Sequence, residues 1–351
     1  MGTRDVMLRV GVIGAGIMGA DHVRTLQRSV IGAAVTMIAD VDRQRAEDAA
    51  HLAPDAITTR DAAEVIGSDD VDAVIIASHD ATHADLAVAA IGAGKPVMCE
   101  KPLAPTVAEC VRIVRAEDEA LAAGCAPLIS VGFMRRFDPG YLEMKAAIAA
   151  GACGVPLMVH CFHRGVSSVL GATTDSSITN TAVHEFDIVP WLLGRPIAAV
   201  SWHAPSVSTL AGGVQDPQLM LLHTAGGVLA TVETLLNARY GYDIRCEVIG
   251  DRGSVALSHG GHIVIDSERT RARSYPADWR LRFADAYRLE LQEWVDAILE
   301  GRPPALAGAR DGTAAAIVAD AVISSMKDGG RTVAVPACHG TCAPGLARND
   351  V

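Results

Sequence analysis

Gly14-Ala15-Gly16-Ile17-Met18-Gly19 fits GxGxxG, a weak pattern on its own in a chain with 33 glycines. Context strengthens it: the apolar run "LRVGVI" precedes it, the helix-patterned "ADHVRTLQRS" follows it, and Asp40 closes the next strand-like run. This is the order of a dinucleotide fingerprint, in which amides at Gly16 to Met18 and a helix N-terminus hold a pyrophosphate that can approach only where side chains are missing. A helix-packing turn is the competing reading. An acid at position 40 would bind the adenosine ribose hydroxyls and repel a 2′-phosphate, which favours NAD. Arg43 could partly accommodate that phosphate, so NADP is kept as the second choice.

Two further stretches should sit at the same edge of the sheet. "CEKP", Cys99 to Pro102, ends a buried strand where open parallel sheets bind ligands, and so places Glu100 and Lys101 at the cofactor. "SHDATHADL" occupies the equivalent edge one strand earlier and brings Ser78, His79 and His83 there, with Thr82 as a candidate helix cap. A lone lysine in such a place is also a common solvated loop charge. A fourth stretch, "ITNTAVHEFDIVPWLLG" (residues 178–194), reads as one helix with Asn180, His184 and Asp187 on a shared side. That side is either a water-facing surface or the wall of a site, and Pro190 should kink the helix near its end.

These residues need elements to hold them, and the chain has the length for about two domains. Its 351 residues are 50% hydrophobic and carry a formal charge of −11, with no Lys/Arg cluster. Nucleic-acid and membrane partners are therefore not expected, and the N-terminus lacks a signal-peptide core, leaving the cytoplasm as the expected location. Eight cysteines without a CxxC pair point to reduced thiols, and "CHGTC" (Cys338 to Cys342) reads as part of a disordered tail; no metal site is expected.

Up to about residue 125, apolar runs alternate with helical patterns, which predicts an α/β doubly wound parallel sheet. Later, "QLMLLHTAGGVLATVET" reads as a hairpin turning at Gly226-Gly227, and "CEVIGDRGSVALS" as a second strand pair. Two late helices follow, the first with Leu291, Trp294, Val295, Ile298 and Leu299 on one face. The expected division is a nucleotide-binding domain over 6–128, an α+β domain with a large, mostly antiparallel open sheet over 129–336, and a tail over 337–351.

Taken together, "GVIGAGIMGADHVRTL", "EKP", "VGFMRRFDPGY", "HCFHRG", "NTAVHEFDIVPWLLG", "YGYDIRCEVIGDRG" and "FADAY" resemble the Gfo/Idh/MocA oxidoreductases, and within them the inositol 2-dehydrogenases. The resemblance spans residues 8 to about 336. It implies NAD-dependent oxidation of a cyclic polyol, with Lys101 against the reacting hydroxyl and His184 as the base. It also implies Arg135, His163, Asp187, Tyr242 and Tyr287 as polyol ligands, and a homotetramer built on the open sheet. Two positions depart: Asn180 replaces an Asp that would support the imidazole with a charge, and Gly165 replaces an Asn that contacts substrate. These departures keep an aldose, inosamine or deoxy-inositol dehydrogenase open, and a non-catalytic NAD-binding sensor is the alternative of another kind.

Overall fold

A computed structural model describes residues 7–168, 171–258 and 264–336. The described chain forms two compact units, 7–134 with 285–316, and 135–284 with 317–336.

In the first unit, six strands pair in parallel: β1 (Leu8–Ile13), β2 (Ala33–Ala39), β3 (Ile57–Thr59), β4 (Ala73–Ile76), β5 (Val97–Cys99) and β6 (Ile129–Val131). Their order is β3-β2-β1-β4-β5-β6. Helices α1 (Ile17–Ser29), α2 (Arg43–Ala50), α3 (Ala62–Gly67), α4 (His83–Gly92) and α5 (Val107–Ala122) connect them. β1 and β4 are the neighbours at which the chain's winding reverses, so the loops leaving their carboxyl ends diverge and open a crevice. Strand β4, "AVII", is fully buried, as a central parallel strand covered on both faces must be.

The second unit starts with α6 (Pro139–Ala149) and β7 (Pro156–Arg164), then α7 (Thr174–Ser176) and α8 (Val183–Leu193). Strands β8 (Ile197–His203), β9 (Gln218–Thr224), β10 (Leu229–Leu235), β11 (Asp243–Gly250) and β12 (Ser254–Ala256) follow. A small hairpin, β13 (Ile265–Ser267) and β14 (Thr270–Ala272), leads to α9 (Trp279–Arg282), α10 (Ala284–Glu300), α11 (Ala309–Lys327) and β15 (Val333–Ala334). The seven-stranded sheet runs β12-β11-β7-β10-β9-β8-β15. It is antiparallel except where β10 lies parallel to β7. The β9/β10 turn does fall on Gly226 and Gly227, whose φ angles of 143° and 85° favour glycine.

Helix α10 belongs with the first unit from Asp285 onward. It buries Leu291, Trp294, Val295 and Ala297, while Leu299, read from the pattern as a core position, is 39% exposed at the helix end. Gln292 clamps the loop before β2, its amide nitrogen donating to Ile31 O at 3.0 Å and its oxygen accepting from Ile31 N at 2.8 Å. Five of the eight cysteines are buried, Cys125 is exposed, and these six are free thiols; the "CHGTC" stretch lies outside the described residues. Among the described residues no helix is long and apolar enough to cross a membrane.

Trp294 is fully buried, so truncation leaves a cavity as well as losing apolar burial. Trp294→Ala should cost about 3–5 kcal/mol in urea unfolding. A loss below about 1 kcal/mol would mean that α10 does not anchor the core it covers.

Candidate functional site

The glycines of the first loop have separable duties. A Cβ on Gly14 (φ 91°) would stand 2.4 Å from the Ser78 amide, and one on Gly19 would stand 1.7 Å from the Gly14 carbonyl. These two let β1, β4 and α1 approach one another. Around Gly16, nothing lies within 4 Å of an added Cβ. That open space sits at the N-cap of α1, which has no side-chain cap, and it fits a pyrophosphate held by amides. Asp40 is buried, with Oδ2 accepting from Ala15 N at 2.7 Å and Oδ1 from Asp42 N at 2.8 Å. It therefore braces the loop, and a carboxylate with about four acceptor positions still has capacity for ribose hydroxyls. Arg43 is turned along α2, where its Nε donates to Glu47 at 2.7 Å. Ile17 is 69% exposed and Met18 half-buried at the mouth of the loop.

The other two edges are tied down beside it. Ser78 Oγ lies 2.6 Å from Thr82 Oγ1, which itself donates to His79 O, so Ser78 is the donor between the hydroxyls. Thr82 makes no side-chain cap to α4; the His79 ring, exposed, accepts from Ala81 N instead. His83 is buried and bridges the Pro102 and Ser78 carbonyls at 2.8 and 3.1 Å, linking the ends of β4 and β5. Glu100 turns inward: it accepts from His22 Nε2 at 2.9 Å and from the Lys101 amide at 3.2 Å. Burial pushes its carboxyl up, but the His22 bond and the charges of His22 and Lys101 hold it below the usual range. The half-buried Lys101 thus leaves a strand end locked by a buried His–Glu pair, and Tyr287 stands edge-on to His22 with ring centres 6.1 Å apart. His22 had no role in the sequence reading; its place in "GADH", three residues after the last loop glycine, was the available signal.

In the second unit, the stretch expected to be one helix is two. Residues Ser177–Ala182 form a π turn, and the α-helix begins at Val183. A π turn is wider than an α turn, so uniform α-helical spacing does not describe residues 177–182. Asn180 is half-buried there, while His184 and Asp187 are buried among neighbours on all sides of α8. The face is therefore not a solvent face. The helix continues through Pro190 and closes at Gly194, whose φ is 64°.

Around His184 lies a packed polar group. His163 is tilted against it at 6.0 Å between ring centres and perpendicular to Tyr242 at the same distance. Arg135 and Glu185, each 1% exposed on its side chain, form an ion pair, and Arg135 Nη2 lies 3.0 Å from His163 Nδ1. Burial would discharge both groups; each holds the other charged, Arg135 above its ordinary value and Glu185 below its own. Burial pushes the Tyr242 phenol up to about 12, so it keeps its proton. Asp187 is gripped by Arg136 through both oxygens, with the Nε bond at 3.0 Å. Arg135, His163, Asp187 and Tyr242 thus lie in the second unit and Tyr287 in the first. Arg136 and Glu185 were not singled out beforehand, although "RRF" and "HEFD" placed charges in apolar surroundings where partners were required. At Gly165, an added Cβ would meet Leu236 O at 3.1 Å, which leaves little room for the Asn of the expected pattern.

A six-stranded 3-2-1-4-5-6 sheet with this loop defines a dinucleotide-binding domain. The family models agree: residues 8–123 match the Gfo/Idh/MocA oxidoreductase family, NAD-binding Rossmann fold, and residues 145–335 match its C-terminal alpha/beta domain. The chain belongs to that family and is an NAD-dependent oxidoreductase. It is 50% identical to inositol 2-dehydrogenase 2 of Paenarthrobacter aurescens over 329 residues, 93% of this chain and 98% of that one. It is 46% identical to inositol 2-dehydrogenase 1 of Saccharopolyspora erythraea over 324 residues, 92% and 95% of the two chains. Among solved structures, myo-inositol dehydrogenase from Lactobacillus casei, in complex with NAD(H) and myo-inositol, superimposes with a TM-score of 0.90 at 32% identity. That match covers 97% of this chain and 99% of the other.

The different duties of the glycines are testable. Gly16→Val should weaken NAD binding at least about tenfold by filling the pyrophosphate space while leaving the melting temperature near wild type. Gly19→Val should lower the melting temperature instead. Equal melting losses in both variants, measured by differential scanning calorimetry beside NAD titration, would remove the distinction.

Proposed function

We propose that the chain oxidises a secondary hydroxyl of a cyclic polyol to the ketone, with myo-inositol or a related inositol as substrate. The observation that carries this reading is the 50% identity, over nearly the whole chain, to an inositol 2-dehydrogenase. NAD held at the Gly16 loop and Asp40 supplies the hydride acceptor. His184 takes the hydroxyl proton, a task suited to a group whose unperturbed pKa is near neutrality. Lys101 stabilises negative charge developing on the substrate oxygen, and its fixed strand end removes the cost of reorganising that charge during reaction. Asn180 can orient the imidazole by hydrogen bonding but contributes no charge to its protonated form. Tyr242, Tyr287 and Asp187 take up the remaining hydroxyls, Asp187 with Arg136 fixing its direction. Arg135 and His163 contribute from behind Tyr242. The same reading carries a cytoplasmic homotetramer, whose mass light scattering would report.

The crowded Gly165 and the uncharged Asn180 favour keeping an aldose, inosamine or deoxy-inositol as the second choice of substrate. A spectrophotometric panel of inositol isomers, inosamines and aldoses with NAD and NADP separates these. Reduced nicotinamide should form fastest with an inositol and NAD; NAD binding without reduction by any polyol would indicate a sensor.

Lys101→Ala and His184→Ala should each lower turnover by about 10²–10⁴ with NAD affinity nearly unchanged. Wild-type turnover in either variant would remove that residue from its role. Asn180→Asp should raise turnover on an inositol if a neutral partner limits His184, and a changed substrate preference would put Asn180 in recognition.

A further inference from the structure

Glu185 has no direct part in the chemistry just described, yet it is buried beside the proposed base and answers a buried arginine. A buried ion pair is weak evidence for stability, because desolvation cancels most of its attraction and apolar packing could replace it. Its geometry has a more specific consequence. A guanidinium has five donors and no acceptor, so the 3.0 Å contact from Arg135 Nη2 makes His163 Nδ1 an acceptor. The neutral His163 ring then carries its proton on Nε2, which faces Tyr242 Oη at 3.5 Å. With that donor in front of Oη, the Tyr242 hydrogen has to point elsewhere. Glu185 Oε2 lies 3.3 Å from the same Nδ1, but one nitrogen cannot accept from Arg135 and donate to Glu185 at once. If Nδ1 instead carried the proton and donated it to the carboxylate, Nε2 would become the acceptor and hold the Tyr242 hydrogen.

We propose that Glu185, acting through Arg135 and His163, is a positioning residue that fixes Tyr242 as a one-way hydrogen-bond donor to an acceptor oxygen of the polyol. This rests on the reading of Tyr242 as a substrate contact. Glu185 holds the guanidinium, the guanidinium selects the imidazole tautomer, and the tautomer sets the phenol's direction. Specificity follows: a substrate oxygen that can accept at that place is favoured over a group that can only donate, such as an ammonium.

The tautomer is measurable without catalysis. Histidine-selective 15N labelling of the full-length NAD complex, with His163 assigned by comparison with His163→Gln, should give an Nε2–H ring with unprotonated Nδ1. An Nδ1–H ring overturns the proposal, whatever the substrate proves to be. Kinetics test the second half. Tyr242→Phe should raise the KM for the polyol about tenfold, the worth of one neutral hydrogen bond, with kcat and NAD affinity within about threefold of wild type. Glu185→Gln should reproduce that split, and the double variant should be no worse than Tyr242→Phe alone. Multiplying losses in the double variant would show that Glu185 does not act through Tyr242. An unchanged KM in Tyr242→Phe would instead sink the substrate contact while leaving the tautomer result standing.

Discussion

A guanidinium withdrawn from water has to find a carboxylate, and in the second unit that requirement organises everything near the proposed base. Arg135 comes from a turn after the first unit and Glu185 from the first turn of α8, and each keeps the other charged in a place where alone it would not be. His163 from β7 then aligns on Arg135, and Tyr242 at the approach to β11 on His163. Arg136, one residue on, turns to Asp187, one turn further along α8 than His184. Two adjacent arginines thus pin the helix that carries His184, and they do so with charge rather than with apolar contact alone. The first unit solves a similar problem with His22 and Glu100, which lock the strand end from which Lys101 projects.

Much of the first unit was legible because its signals are local. A glycine loop between a strand and a helix, followed by an acid at the end of the next strand, is a continuous pattern, and the structure realises it in order. The hairpin at Gly226-Gly227 was equally readable, since two glycines with positive φ define the turn by themselves. The three-residue strands β3 and β6 are too short to show a period. The return of α10 to the first unit depends on contacts such as Gln292 with the loop before β2, more than two hundred and fifty residues away in sequence, and no window along the chain contains them.

The helix around His184 shows where pattern reading stops. Residue spacing singled out Asn180, His184 and Asp187 on it, but assumed uniform α-helical geometry from residue 178 onward. Residues Ser177–Ala182 instead form a π turn, and nothing in "SITNTA" announces it. Likewise, the pair "RR" contained both the arginine facing Glu185 and the one facing Asp187, and only packing decides which is which. Partner choice among buried charges is a three-dimensional property, because desolvation makes each group depend on whatever opposite charge the fold delivers.

On the proposed function, this chain breaks the carbon–hydrogen bond at a secondary alcohol carbon of a cyclic polyol and delivers the hydride to NAD. The direct measurement uses myo-inositol deuterated at the oxidised carbon, with mass spectrometry of the nicotinamide product after a single turnover. The deuterium should appear on the reduced nicotinamide. Deuterium released to water or retained in the polyol, with NAD bound throughout, would contradict that function.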